Sequence, residues 1–228
     1  MAFAIYQKME YSVILTGSLS QKQFPNRVAT PILAPRLTYI APYLYAGHSG
    51  NWRIALELLH EVNSLVERER EISNGELIDF LSSTGSRVYE SYKGKLNRDY
   101  IDVRIIIVAC GKYRYPQDIE KGVANSLIIW ESPRNFKPER GSVYAVWYAD
   151  ADTTNTATEI LKLPSVQQLL DGGPLAISQT LDGIHALIAK INSGISEETN
   201  ILLVGENEEH SLLKGNLIKL PNRALLFG

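Results

Sequence analysis

The chain has 228 residues, 45% hydrophobic and 21% charged, with 23 Lys and Arg against 25 Asp and Glu for a formal net charge of −2. A chain of this length buries roughly 70% of its unfolded surface, so its core needs neither metal nor disulfide, and whole-chain disorder is excluded. With no basic excess there is no signature of a nucleic-acid binder, whose affinity comes from neutralising phosphates.

Cys110 is the only cysteine, so no internal disulfide is open to it, and a lone thiol suits a reducing cytoplasm. It ends the apolar run 103–110 and reads as a packed core thiol, with no histidine nearby in sequence to act as a base. The start, MAFAIYQKMEYS, lacks the basic start and long apolar centre of a signal peptide. No apolar run approaches the ~20 residues of a membrane span. The expected location is cytoplasmic.

Residues 3–8 and 11–19 read as two strands joined at Met9-Glu10, the second carrying Val13-Ile14-Leu15-Thr16 and closed by Gly17. Pro25, Pro31, Pro35 and Pro42 exclude helix from 20–43, because each removes an amide donor and restricts its predecessor. Within that stretch Leu37-Thr38-Tyr39-Ile40 is the best strand. From 51 to about 70, Trp52, Ala55, Leu56, Leu59, Val62 and Val66 fall at spacings of three and four. They form one helical stripe, capped by Ser49 or Asn51. Ser73-Asn74-Gly75-Glu76 has capping-box spacing, and a second stripe runs through Leu77, Phe80, Leu81, Thr84, Val88 and Tyr92 to Gly94. The short link predicts an antiparallel helix pair.

Residues 101–110 read as a strand buried on both faces. Two strands at 126–131 and 142–148, separated by Ser132-Pro133-Arg134-Asn135 and Gly141, predict a meander. A helix over 156–170 is interrupted at Pro164 and stopped by Gly172-Gly173-Pro174. Leu181, Ile184, His185, Leu187, Ile188 and Ile191 stripe another, ending near Gly194. Strands at 200–204 and 216–220 follow. No repeat or linker interrupts the chain, which favours one domain over 1–228.

The chain has no phosphate-binding glycine loop with a following lysine, no CxxC pair and no HExxH helix. His60 and His185 sit on helices and read as structural. His48 lies in the glycine-flanked stretch Gly47-His48-Ser49-Gly50 and reads as a turn, and His210 falls in an acidic loop. Asp150-Ala151-Asp152-Thr153-Thr154 matches the DxDxT pattern of aspartate-nucleophile phosphohydrolases, where one carboxylate attacks phosphorus and magnesium neutralises charge. Too little chain follows for the rest of such a site, and the competing explanation is a polar turn in which Asp152, Thr153 or Thr154 caps the next helix. No residue is assigned as catalytic, cofactor-binding or metal-ligating, and no cofactor is expected.

The element order, with Leu37-Thr38-Tyr39-Ile40-Ala41-Pro42-Tyr43-Leu44-Tyr45-Ala46-Gly47 before the first helix, residues 102–111 ending in a glycine, and 127–131 followed by Gly141-Ser142-Val143, resembles the proteasome subunits and other N-terminal-nucleophile hydrolases. The resemblance spans about residues 2–205 and implies an α+β fold, a four-layer αββα sandwich of two antiparallel sheets between helical layers. In that family an N-terminal threonine, serine or cysteine attacks an amide, with its own amine as base and a nearby lysine and acidic group holding the site. By the resemblance, Ala2 occupies the nucleophile position once Met1 is removed, Gly17-Ser18 the acidic position and Arg36 the lysine position. None of the three supplies the chemistry, since arginine holds its proton too tightly to share one. Cleavage between Tyr11 and Ser12 would expose a serine but remove the first strand and leave the lysine absent.

Three functions follow as expectations. The first is a non-catalytic pseudoenzyme, an assembly or scaffold subunit forming homo-oligomers or joining related subunits, without nucleic-acid or membrane partners. The second is a hydrolase of amides or phosphate esters using Asp150, Asp152 or His48. The third is a binding module whose cleft mouth gathers Tyr6, Tyr11, Tyr39, Tyr43 and Tyr45, residues equally suited to sheet packing.

Overall fold

The structure, a computed structural model, describes residues 2–19, 37–69, 71–93, 103–141, 144–148, 151–192, 195–205 and 209–220. Pro25, Pro31, Pro35, Arg36, Gly94, Ser142, Val143, Asp150 and Gly194 lie outside them.

Strands β1 (Ala2–Gln7) and β2 (Tyr11–Leu19) form an antiparallel hairpin, its turn closed by the Lys8 N–H donating to the Tyr11 carbonyl at 2.8 Å. β3 (Thr38–Ala41) and β4 (Leu44–Gly50) form a second hairpin around Pro42-Tyr43. Tyr43 there adopts φ 68°, a left-handed conformation costly for a bulky side chain. The helices α1 (Trp52–Arg68) and α2 (Asn74–Lys93) follow. Asn51 caps α1 by accepting from the Arg53 and Ile54 amides at 3.1 and 3.2 Å. The capping box of α2 forms as its spacing predicts, the Ser73 N–H donating to Glu76 at 2.7 Å and the Glu76 N–H to the Ser73 hydroxyl at 3.3 Å. Arg87 binds Glu61 and Tyr92 binds Glu57, so the two helices run antiparallel.

β5 (Val103–Ala109) leads through a 3-10 turn and the short α3 (Pro116–Glu120) to β6 (Ser126–Glu131). The expected meander does not form. β6 pairs instead with the two-residue β7 (Glu139–Arg140), and β8 (Tyr144–Trp147) crosses to pair with β1 in the other sheet. Helices α4 (Ala151–Leu161), α5 (Pro164–Leu170) and α6 (Pro174–Ile191) precede β9 (Ile195–Gly205), β10 (His210–Lys214) and β11 (Ile218–Lys219). Here α6 begins earlier than its apolar stripe, because Pro174 at its first turn gives up no bonded amide, and α4 begins at Ala151, ahead of the expected 156.

Among the described residues one sheet has the order β10-β9-β2-β1-β8 and the other β11-β3-β4-β5-β6-β7. Every pairing is antiparallel except that of β11 with β3. The αββα sandwich is therefore the fold, and three apolar clusters mark its three internal boundaries. Phe3, Ile5, Ile14, Tyr45, Ile106, Val108, Cys110, Leu127, Leu202 and Val204 fill the space between the sheets. Their sequence neighbours point the opposite way, as the period of two in a strand requires. Ala46, Ile105, Ile107, Ile128 and Trp130 meet α1 and α2, whereas Ala4, Val13, Leu15 and Ile201 meet α4, α5 and α6.

Two glycines separate intrinsic helix preference from packing. A Cβ on Gly85 of α2 would overlap Phe136 and lie 2.7 Å from Trp130 Nε1, whereas one on Gly183 of α6 meets nothing within 4 Å. Gly85→Ala is expected to lower stability by roughly 1–3 kcal/mol through overpacking, despite its gain in helix propensity. Gly183→Ala is expected to raise it by about 0.5–1 kcal/mol. Urea unfolding of both variants checks the opposite signs.

Candidate functional site

Of the positions marked by the family resemblance, Ala2 and Gly17 fall at one end of the first sheet, and Arg36 lies outside the described residues. Ala2 begins β1 and is in register with Gly17, which is in register with Thr199 of β9. Beside them the Thr199 hydroxyl donates to Asp182 Oδ1 at 2.6 Å, and Lys214 Nζ contacts both Asp182 oxygens at 2.8 and 2.7 Å. A hydroxyl, a carboxylate and an ammonium thus converge from β9, α6 and β10, a grouping scattered over the sequence and not anticipated from it. The ammonium pairs with the Asp182 carboxylate, and the trio ties β10 and β9 to α6.

The DxDxT stretch does not cap a helix with Asp152, Thr153 or Thr154. All three lie within the first turn of α4, where the Thr154 hydroxyl accepts from the Tyr148 amide at 2.9 Å. Asp152, Thr153 and Thr156 line a pocket of about 340 Å³ with Ile188, Ile191 and Asn192. Apart from Asp152, those lining residues are uncharged, whereas phosphoryl transfer needs cationic neutralisation.

The histidines are dispersed. His48 belongs to β4 rather than a turn, is 4% exposed and is in register with Ile105. Gly47 and Ser49 extend with it because β5 supplies their backbone partners. His60 is buried on α1. His185 Nε2 lies 2.8 Å from the Ser196 carbonyl and must donate to it, leaving Nδ1 to accept from Tyr148 at 3.3 Å. Burial raises the Tyr148 pKa. His210 begins β10 instead of a loop, and its Nδ1 lies 2.9 Å from the Tyr45 hydroxyl across the two sheets. Cys110 is fully buried between them.

The five tyrosines do not converge. Tyr39 and Tyr45 stack edge to face at 5.6 Å, Tyr43 lies against Gly111, and Tyr6 and Tyr11 pack on the opposite side of their sheet. Among the described residues no three His, Cys, Asp or Glu side chains are grouped to hold a metal ion.

A larger cleft lies at the other end of β1, about 20 Å from Ala2 by strand rise. It measures about 830 Å³ and is lined by Lys8, Met9, Glu10 and Tyr11 of the β1–β2 turn, Arg114, Ile119 and Gly122 around α3, and Asp171, Gly172 and Gly173 between α5 and α6. Three turns from separate layers converge there.

Two buried polar chains occupy the same end. The Ser12 hydroxyl donates to Gln7 at 2.9 Å, and Asn125 Nδ2 donates to Ser12 at 2.8 Å and to the Val204 carbonyl at 3.2 Å. The Ser126 hydroxyl donates to Asp118 at 2.6 Å and accepts from the Tyr115 amide at 2.7 Å, while Arg140 Nε donates to Asp118 at 2.9 Å. These local bonds offset the burial of all but the Asn125 Oδ1 atom, which has no hydrogen-bond partner among the described residues. The Asp118 carboxylate raises the Arg140 pKa through that hydrogen bond. Burial, then the Asp118 charge, pushes the Tyr115 phenol up to about 12, with Arg140 opposing.

No family model matches the sequence, and no curated protein matches it.

Tyr115 has a pH consequence. The folded state holds this phenolic proton more tightly than the unfolded chain, so its contribution to stability is complete below about pH 10 and is lost as the pH climbs through about 12. Tyr115→Phe is expected to flatten that alkaline decline, measured by urea midpoints across the range. An unchanged slope would show that other groups control it.

Proposed function

We propose that the chain is a non-catalytic, proteasome-like assembly subunit of the cytoplasm, forming homo-oligomers or joining related subunits through its α4–α6 layer. The observation that carries this is an asymmetry between the two helical layers. Leu163, Leu169, Leu175, Leu187 and Ile191, on or beside α5 and α6, are 49%, 56%, 65%, 47% and 70% exposed. No large apolar side chain of α1 or α2 is exposed among the described residues. Apolar surface concentrated on one layer marks an interaction face, because covering it releases ordered water at about 25 cal/mol per Å².

Further support comes from the full strand–helix order of a sandwich and from Ala2, without a nucleophilic atom, at the start of β1. Packing of helical layers is how subunits of the resembled family assemble. Cys110, fully buried and the only cysteine of the sequence, accords with a reducing compartment.

Asp152, beside Thr153 and Thr156 in the smaller pocket, supports a hydrolase as the second reading. Loss of peptidase or phosphatase activity in Asp152→Asn would favour it; retained activity would remove Asp152 from consideration.

Sedimentation velocity at micromolar concentration is expected to show a species larger than one chain. Leu187→Glu with Ile191→Glu should convert it to monomer without changing the circular dichroism spectrum. A strictly monomeric wild-type protein overturns assembly as the function.

A further inference from the structure

We infer that the cleft between the β1–β2 turn, α3 and the α5–α6 turn is a binding site for an apolar carboxylate, an aliphatic body ending in one carboxyl group. The site is independent of the assembly proposal and lies at the end of β1 opposite Ala2.

Size sets the first limit. About 830 Å³ lies within the range of small-molecule pockets, roughly 300–1,000 Å³. The second limit is the apolar lining. Met9 is 73% exposed and Ile119 49% exposed, and the position of a Cβ on Gly122 would lie 3.3 Å from Met9 Cε. Met9 therefore lies across a bare glycine backbone, φ +66°, where a larger residue would crowd it. A flexible thioether and an aliphatic side chain left in water at one cleft form an adaptable surface for an aliphatic group.

The charges decide the ligand's sign. Lys8, Arg114, Glu10 and Asp171 all line the cleft, so their formal charges cancel, but their surroundings differ. Lys8 and Arg114 are half-buried, whereas Glu10 and Asp171 are exposed. Charges beside low-dielectric protein act more strongly than charges held in water. The Lys8–Asp171 pair is 3.7 Å apart with the Asp171 side chain 78% exposed, a weak contact that an incoming anion readily replaces.

Arg114 is also held in place. Its Nε donates to the Gly111 carbonyl at 3.3 Å and its Nη1 to the Val123 carbonyl at 3.0 Å. These bonds fix the plane of the guanidinium at the wall, and a planar fork suits a carboxylate better than a cation or a neutral group. Tyr11, whose phenol burial and Glu10 keep protonated, adds an O–H donor to the same wall.

Backbone-amide NMR titration tests the site, with octanoate as the probe and octanamide as its uncharged control. Octanoate is expected to shift amides at 8–11, 114, 119–122 and 171–173 saturably, and octanamide to bind about tenfold more weakly, the loss of one charge-assisted contact. Arg114→Gln should weaken octanoate about tenfold and Arg114→Lys less. Should Arg114→Gln fail to fold, Ile119→Asp, a change at an exposed side chain, should abolish octanoate binding through lost apolar contact and added repulsion. Titration with N-acetyl-leucyl-leucine identifies the source. Tighter binding than octanoate supports a peptide terminus and weaker binding an acyl chain, both apolar carboxylates. Equal affinity for octanamide, shifts centred elsewhere, or no saturation overturns the proposal.

Discussion

Face-to-face packing of two sheets is the constraint on which the other parts depend. Phe3, Ile5, Ile14, Ile106, Val108, Leu202 and Val204 come from strands far apart in sequence and share one dry layer. Because side chains alternate along a strand, filling that layer forces Val13, Leu15, Ile105, Ile107 and Ile201 onto the outer faces. Those faces are as apolar as the inner ones and cannot remain in water. The helices are the cover, and four layers are the least that bury both faces of both sheets.

One end of this apolar sandwich is polar. Gln7, Ser12 and Asn125 are buried and bonded to one another, and Asp118 and Ser126 are buried beside them. Such groups lose their hydration on folding and recover it only in one geometry. Asn125, just ahead of β6, reaches Ser12 of β2 and the Val204 carbonyl of β9, so it fixes the first sheet relative to the second. The β1–β2 turn is anchored to the same region by the Ala124 amide donating to the Lys8 carbonyl at 3.2 Å. The turns lining the large cleft therefore stand on a base held by directional bonds, which is what a site requires of its scaffold.

The two ends of β1 have different characters. At the Ala2 end Thr199, Asp182 and Lys214 satisfy one another, whereas the buried Thr16 hydroxyl has no hydrogen-bond partner among the described residues. At the Lys8 end, Met9 and Ile119 remain in water beside half-buried cations. Loop tips can carry such features because strand pairing and core packing do not depend on them. The α5–α6 layer likewise tolerates exposed leucines that the α1–α2 layer does not have among the described residues.

What the sequence by itself determined is local and periodic. The stripe from Trp52 to Val66, the Ser73–Glu76 capping box and the apolar run ending at Cys110 each carry their own pattern within a few residues, and each element forms where that pattern lies. The element order was legible too, and with it the αββα sandwich. Properties that depend on distant partners were not. His48 looked like a turn because glycine and serine flank it, yet β5 supplies an extended partner across the sheet. The residues after β6 looked like a meander, but β1 offered an open edge in the other sheet and β8 pairs there. The strand at 210–214 has no apolar alternation to reveal it and forms because β9 presents unpaired backbone groups. The cleft was illegible for the same reason. Lys8, Arg114, Ile119 and Asp171 share no motif or spacing, and only the stacking of the layers brings their three turns to one place.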